Sequence, residues 1–153
     1  MKTKLILNLS ALLIMLSAGV VLANSPHFTS AKASKSGSNL IVSFKEAGLG
    51  NGTTVTITAS ANCTAVYACI NGGGNHPKAA NKETVNSSVS ASGTFTADRN
   101  GQVTGSLTLT PPPPPADFSC PSGQSLQLLS ATYTNVQIQD ATTGANQSIP
   151  GTF

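Results

Sequence analysis

Charge is what this sequence has least of. Lysine, arginine, aspartate and glutamate together make up 8% of the chain, against about 25% in an ordinary domain. Tryptophan is absent, aromatic residues are few, and there are three cysteines. Only one long apolar run occurs, and it lies at the N-terminus. Each shortage excludes something. The basic residues Lys32, Lys35, Lys45, Lys78, Lys82 and Arg99 are scattered, so there is no basic stripe for nucleic acid and no polybasic membrane patch. Few aromatics count against a sugar-stacking platform. Nothing after residue 23 is apolar for long enough to span a bilayer as a helix.

The N-terminal run is read as an export signal. Lys2 and Lys4 precede an almost wholly apolar stretch from Leu5 to Leu22, and Val21-Leu22-Ala23 ends on the short side chains that a signal peptidase reads. The expected division is a signal peptide over 1–23 and one domain over 24–153. Removing the signal takes two lysines with it, so the formal charge of +3 falls to about +1. The expected location is secreted, either extracellular or in the cell envelope, where disulfides form.

What remains is a regular alternation of apolar and hydroxyl side chains. Leu40, Val42 and Phe44 share one face, as do Val55, Ile57 and Ala59. Phe95 and Ala97, then Val103, Leu107 and Leu109, then Val136 and Ile138 repeat the pattern. Period two over short runs is the mark of half-buried strands. Glycine and asparagine turns separate them, and Asp98-Arg99-Asn100-Gly101 predicts a hairpin joining 94–97 to 102–109. The expected fold is all-β: an antiparallel, immunoglobulin-like sandwich of about seven to nine strands, with a small barrel as the alternative. Pro111 to Pro115 reads as polyproline II, roughly 15 Å long, crossing from one sheet to the other.

The cysteines allow one disulfide and one leftover thiol. A strand from Cys63 to Cys69 would hold its ends about 20 Å apart, too far for a bridge. Ala65-Val66-Tyr67-Ala68 offers no turn to shorten that distance. The favoured pair is Cys69–Cys120, with Cys63–Cys120 second. Cys63 is then the odd thiol, either a buried small side chain or a point of dimerisation.

Candidate chemistry is sparse. His76 is the only histidine inside the predicted domain, apart from His27 near its start, and the carboxylates are Glu46, Glu83, Asp98, Asp117 and Asp140. No nucleophile-elbow pattern occurs. Gly72-Gly73-Gly74 lacks the Gly-Lys-Ser/Thr ending of a phosphate loop. Cys63, Cys69, His76 and Cys120 lack the spacing of a zinc site. The expectation is therefore no catalytic residues, no metal and no cofactor. Asp98 and Asp140 sit at turns, where a carboxylate caps its own backbone. The long polar loop Asn71, Gly72, Gly73, Gly74, Asn75 and His76 is the candidate binding segment, because long loops often carry contacts.

The stretch Cys69-Ile70-Asn71-Gly72-Gly73-Gly74-Asn75-His76-Pro77 resembles a group of small exported bacterial proteins of actinomycete type, whose function is uncharacterised. Leu40 to Leu49, Gly93 to Pro113 and the closing Ser148-Ile149-Pro150-Gly151-Thr152-Phe153 carry the same likeness. It implies a cysteine before the glycine run bonded to one after the prolines, and it brings no activity with it. Ala47-Gly48-Leu49, its glycine turn and Thr96 to Leu109 are similar to enediyne-carrier apoproteins, which are secreted immunoglobulin-like sandwiches with a chromophore cleft and two disulfides. The functional expectation is a secreted, non-catalytic binding protein. The alternatives are a small-ligand carrier with a cleft between the sheets, and a hydrolase centred on His76.

Overall fold

A computed structural model describes residues 25–73 and 81–153. The expected signal peptide at 1–23, and Gly74, Asn75 and His76 of the candidate loop, lie outside the described residues. Among the described residues seven strands follow in order: β1 (His27–Ser36), β2 (Asn39–Ala47), β3 (Thr54–Asn71), β4 (Lys82–Thr96), β5 (Val103–Leu109), β6 (Gln124–Asp140) and β7 (Asn146–Ile149). They form two antiparallel sheets, ordered β1-β2-β5 and β4-β3-β6-β7. Among the described residues no helix is long and apolar enough to cross a membrane.

The alternation in the sequence becomes the core. Leu40, Val42 and Phe44 of β2 and Leu107 and Leu109 of β5 face Val55, Ile57 and Ala59 of β3 and Val136 and Ile138 of β6 in one buried cluster. Full burial of each large apolar side chain contributes about 1.5–3 kcal/mol. Phe44 sits at the centre of an edge-to-face aromatic row, with ring centroids 6.2 Å from Phe28 and 5.1 Å from Phe95. No side chain fits where that row crosses β5: a Cβ at Gly105 would come within 2.5 Å of the Phe95 ring and 2.9 Å of Phe44.

One sequence expectation is corrected. Asp98 to Gln102 does form a tight turn, with Asp98 N–H donating to the Gln102 carbonyl at 2.8 Å. The turn does not make a hairpin. It carries the chain out of one sheet and into the other, because β4 pairs with β3 while β5 pairs with β2. An Asn-Gly signal specifies a local reversal, whereas the choice of neighbour depends on which apolar face each strand must cover. Gly101 adopts φ 68° in this turn and lies against Leu49, whose N–H donates to the Gly101 carbonyl at 3.0 Å.

The two sheets differ in length. β3 has 18 residues and β6 has 17, while β1, β2 and β5 have 10, 9 and 7. At about 3.3 Å per residue, β3 extends roughly 60 Å, about twice the length of the sheet opposite. The main core cluster ends near Cys63. Beyond it Ala65, Tyr67 and Cys69 are still buried, although the shorter sheet is tied in only at the Ala65 level, where the Lys35 ammonium of β1 donates to the carbonyl of Ala131. Further along, the connection from β5 to β6 takes its place. The Tyr67 hydroxyl donates to the Pro112 carbonyl at 2.7 Å, and Cys69 is bonded to Cys120. The favoured cysteine pair and the sheet-to-sheet proline crossover are both present.

Candidate functional site

Three places concentrate polar or reactive groups, and the first is the predicted loop. Asn71 ends β3 opposite Gln124, and Gly72 and Gly73 follow as an exposed turn. The Cys69–Cys120 bond anchors the root of this loop, and the Asn81 amide donates to Gln124 Oε1 at 3.4 Å on its return. Ile70, Asn71, Gly72, Gln124 and Gln127 line a shallow open hollow beside it. Among the described residues, no titratable side chain lines that hollow.

The second place is Cys63. It carries the unpaired thiol and is buried, 1% exposed. It lies opposite Tyr133 across the β3–β6 ladder. The Tyr133 hydroxyl donates towards the carbonyls of Ser38 (2.9 Å) and Leu109 (3.3 Å). Burial raises the Cys63 thiol above its ordinary value, against smaller opposing effects of Tyr133 and Lys35. Burial likewise raises the Tyr133 phenol, helped by Cys63. A buried, protonated thiol is a weak nucleophile. The dimer expected through Cys63 would require this side of the sheet to open.

The third place is a buried carboxyl pair that sequence reading did not single out as a site. Glu46 ends the inward row of β2, after Leu40, Val42 and Phe44. Asp140 ends the inward row of β6, after Val136 and Ile138. Both are fully buried, and they meet at one end of the molecule, one from each sheet. The signal was in the alternation itself, because each carboxyl occupies the position where the next apolar residue belongs. Asp140 caps the 140–144 turn as expected: its Oδ1 accepts from Thr142 N–H at 2.8 Å and its Oδ2 from the Thr143 hydroxyl at 2.7 Å. The same hydroxyl is 3.5 Å from Glu46 Oε1, while Glu46 Oε2 is buried with no hydrogen-bond partner. Burial, then the charge and the hydrogen-bonding contact of Asp140, raise Glu46 to about 7. Thr143 and His27 act in the opposite direction. This carboxyl therefore keeps its proton through the mildly acidic range and gives it up around neutrality, well above the ordinary carboxylate range. Both groups lie beneath the 141–145 turn with no exposed surface, so the pair joins the sheets and offers no substrate a way in. Asp98 is also a cap, accepting from Asn100 and Gln102 N–H at 2.8 and 2.9 Å.

The outer face of the four-stranded sheet is an extended polar surface. The outward residues of β3 run Thr54, Thr56, Thr58, Ser60, Asn62 and Thr64. Across from them β4 presents Thr96, Thr94, Ser92, Ser90, Ser88 and Asn86. Gln139, Gln137, Thr134 and Thr132 continue the rows on β6. Several rows are tied by side-chain hydrogen bonds: Thr58 to Ser92 at 2.7 Å, Thr64 to Asn86 at 2.6 Å, and Ser88 to Asn62 at 3.3 Å. No charged residue interrupts these rows.

Among the described residues no three histidine, cysteine, aspartate or glutamate side chains gather in a metal-binding group. Comparison of the chain with known protein families, with curated proteins and with solved structures gave no match.

Proposed function

We propose that this chain is an exported, non-catalytic binding protein of immunoglobulin-like type. It meets its partner through the outer face of β3, β4 and β6. The observation that carries this reading is the face itself, with rows of hydroxyl and amide groups over three long strands and no charge among them. Such a surface suits a neutral partner that supplies its own hydrogen-bond donors and acceptors. An ionic partner would find nothing on it to pair with.

Other features support the rest of the reading. The strand orders β1-β2-β5 and β4-β3-β6-β7 support the immunoglobulin-like reading, because such a Greek key with its fourth strand on the edge of the second sheet would have the same orders. The Cys69–Cys120 bond fits an oxidising compartment, as the apolar N-terminal run predicts. The likeness to small exported bacterial proteins points the same way. A carrier role gains no support from the region where the sheets face each other, because side chains of both sheets pack there in one buried cluster.

The test is retention on an insoluble cell-envelope preparation, measured by co-sedimentation. The double variant Thr58→Lys/Thr64→Lys puts two ammonium groups on the central strand of the face, and retention should drop by roughly tenfold. Cys63→Ala, which alters only the interior, should bind like the parent. Equal retention of the charged variant and the parent would remove the face from the proposal. No retention of the parent would remove the binding role.

A further inference from the structure

Most edges of the two sheets carry a guard against pairing with other chains. β1 has Lys32 and Lys35 and a bulge between Phe28 and Ser30. β7 is four residues long. β5 is seven residues long and leads into the proline run. β4 has Lys82 and Glu83 at its first two positions and, among the described residues, no guard beyond them. Among the described residues it hydrogen-bonds to β3 alone, in unbroken register from Lys82 opposite Ala68 to Thr96 opposite Thr54. From Thr84 to Thr96 it contains no charge and no proline. An open strand of that length, about 40 Å, presents a row of unpaired backbone donors and acceptors.

Burial along β4 shows the same incompleteness. Its inward residues Val85, Val89, Ala91 and Phe95 are only half-buried, whereas Val55, Ile57, Ala59 and Ala61 of the neighbouring β3 are fully buried. One more strand beside β4 would finish covering them.

The sequence of β4 specifies which strand that is. It is close to a palindrome about Ser90. When two copies run antiparallel with Ser90 opposite Ser90, Ser88 meets Ser92 and Thr84 meets Thr96 on the outer face. On the inner face Val89 meets Ala91 and Val85 meets Phe95. Polar groups oppose polar groups and apolar groups oppose apolar ones at these positions, Ser87 opposite Gly93 is the one inward pair that departs from this, and no like charges face each other. The register is selective. A shift of two residues in one direction puts Ser87 opposite Phe95, and in the other direction Glu83 opposite Phe95. A shift of one residue turns the apolar row outward.

We propose that β4 is a dimerisation edge. Two copies of this chain pair β4 to β4, antiparallel about Ser90, and join their four-stranded sheets into one sheet of eight. The contact is isologous, so it closes at two copies and does not propagate. This inference is independent of the proposed binding role.

Light scattering coupled to gel filtration, over a concentration series, reads the mass directly. The protein should run at twice the chain mass. Ser90 is exposed, so Ser90→Lys and Ser90→Glu leave the core untouched while setting like charges opposite each other at the twofold axis. Each variant alone should dissociate at roughly fivefold or more higher concentration than the parent, and an equimolar mixture of the two should recover the dimer. In a Cys63→Ala background, Ser90→Cys should cross-link as a dimer under mild oxidation. Ser92→Cys should not, because its two copies would lie about 13 Å apart along the strands. A parent that is monomeric throughout, a dimer indifferent to charge at position 90, or equal cross-linking at 90 and 92 would overturn the proposal.

Discussion

Raising the pH through neutrality should weaken this fold, and Glu46 is the group responsible. In the unfolded chain its carboxyl ionises near the ordinary value of 4.5, while in the folded protein it keeps its proton up to about 7. Between those values the folded state binds more protons than the unfolded state. Stability therefore falls as pH rises through that window and levels off above it. At about 1.4 kcal/mol for each pH unit separating the two values, roughly 3 kcal/mol is lost. Burial is the largest cause of the raised value, and the groups that face Glu46 adjust it. Asp140 of β6 raises the value, and Thr143 of the following turn and His27 of β1 lower it. Glu46→Gln isolates the cause. The amide keeps the shape of the acid, can donate a hydrogen bond as the protonated carboxyl does, and never ionises. Urea unfolding followed by far-ultraviolet circular dichroism suits a chain without tryptophan. Near pH 5, roughly the lower limit of the window, parent and variant should differ little. Above about pH 8 the variant should be the more stable by roughly 3 kcal/mol. Parallel stability profiles for the two proteins would refute the assignment of the raised value to Glu46.

Three further predictions concern other parts of the frame. Thiol labelling without reduction should modify nothing in the folded protein and one residue, Cys63, after unfolding; two or more labelled residues would contradict the Cys69–Cys120 bond. Reducing that bond, whose cysteines are 51 residues apart, should cost about 4 kcal/mol on a chain-entropy estimate, measured by denaturant unfolding. Gly101→Ala should cost at least about 2 kcal/mol, because Gly101 sits at φ 68° and a Cβ there would overlap the Leu49 carbonyl oxygen. An unfolding midpoint unchanged from the parent would mean that the corner between the sheets is not held as described.

The fold was legible because period two is a strong signal when one face is buried. Leu40, Val42, Phe44, Val55, Ile57, Ala59, Val136 and Ile138 are inside, as their spacing requires. The partner of each strand was less legible. Asp98-Arg99-Asn100-Gly101 announces a reversal and says nothing about whether the next strand stays in the same sheet. The buried pair was half visible. Asp140 was recognised as a turn cap, but its burial depends on Glu46 arriving from the opposite sheet, a contact across 94 positions of sequence. The polar outer face was visible only as hydroxyls between apolar residues. Its continuity depends on the register of three strands, which no single segment encodes. The candidate loop rested on length and polarity, and of it only Asn71, Gly72 and Gly73 are described.

The mismatch in sheet lengths has a consequence for how the molecule comes apart. Below Cys63 the long sheet is held by the shorter sheet and the shared core. Above it the Lys35 contact with Ala131, the proline crossover, one tyrosine hydrogen bond and one covalent bond do that work. The two halves should therefore open as separate cooperative units. In native-state hydrogen exchange, amides of Ala65 to Ile70 and Leu126 to Ser130 should exchange through a local opening, well before those of Val55 to Ala59. Reduction of the disulfide should speed exchange in the upper group and leave the lower group protected.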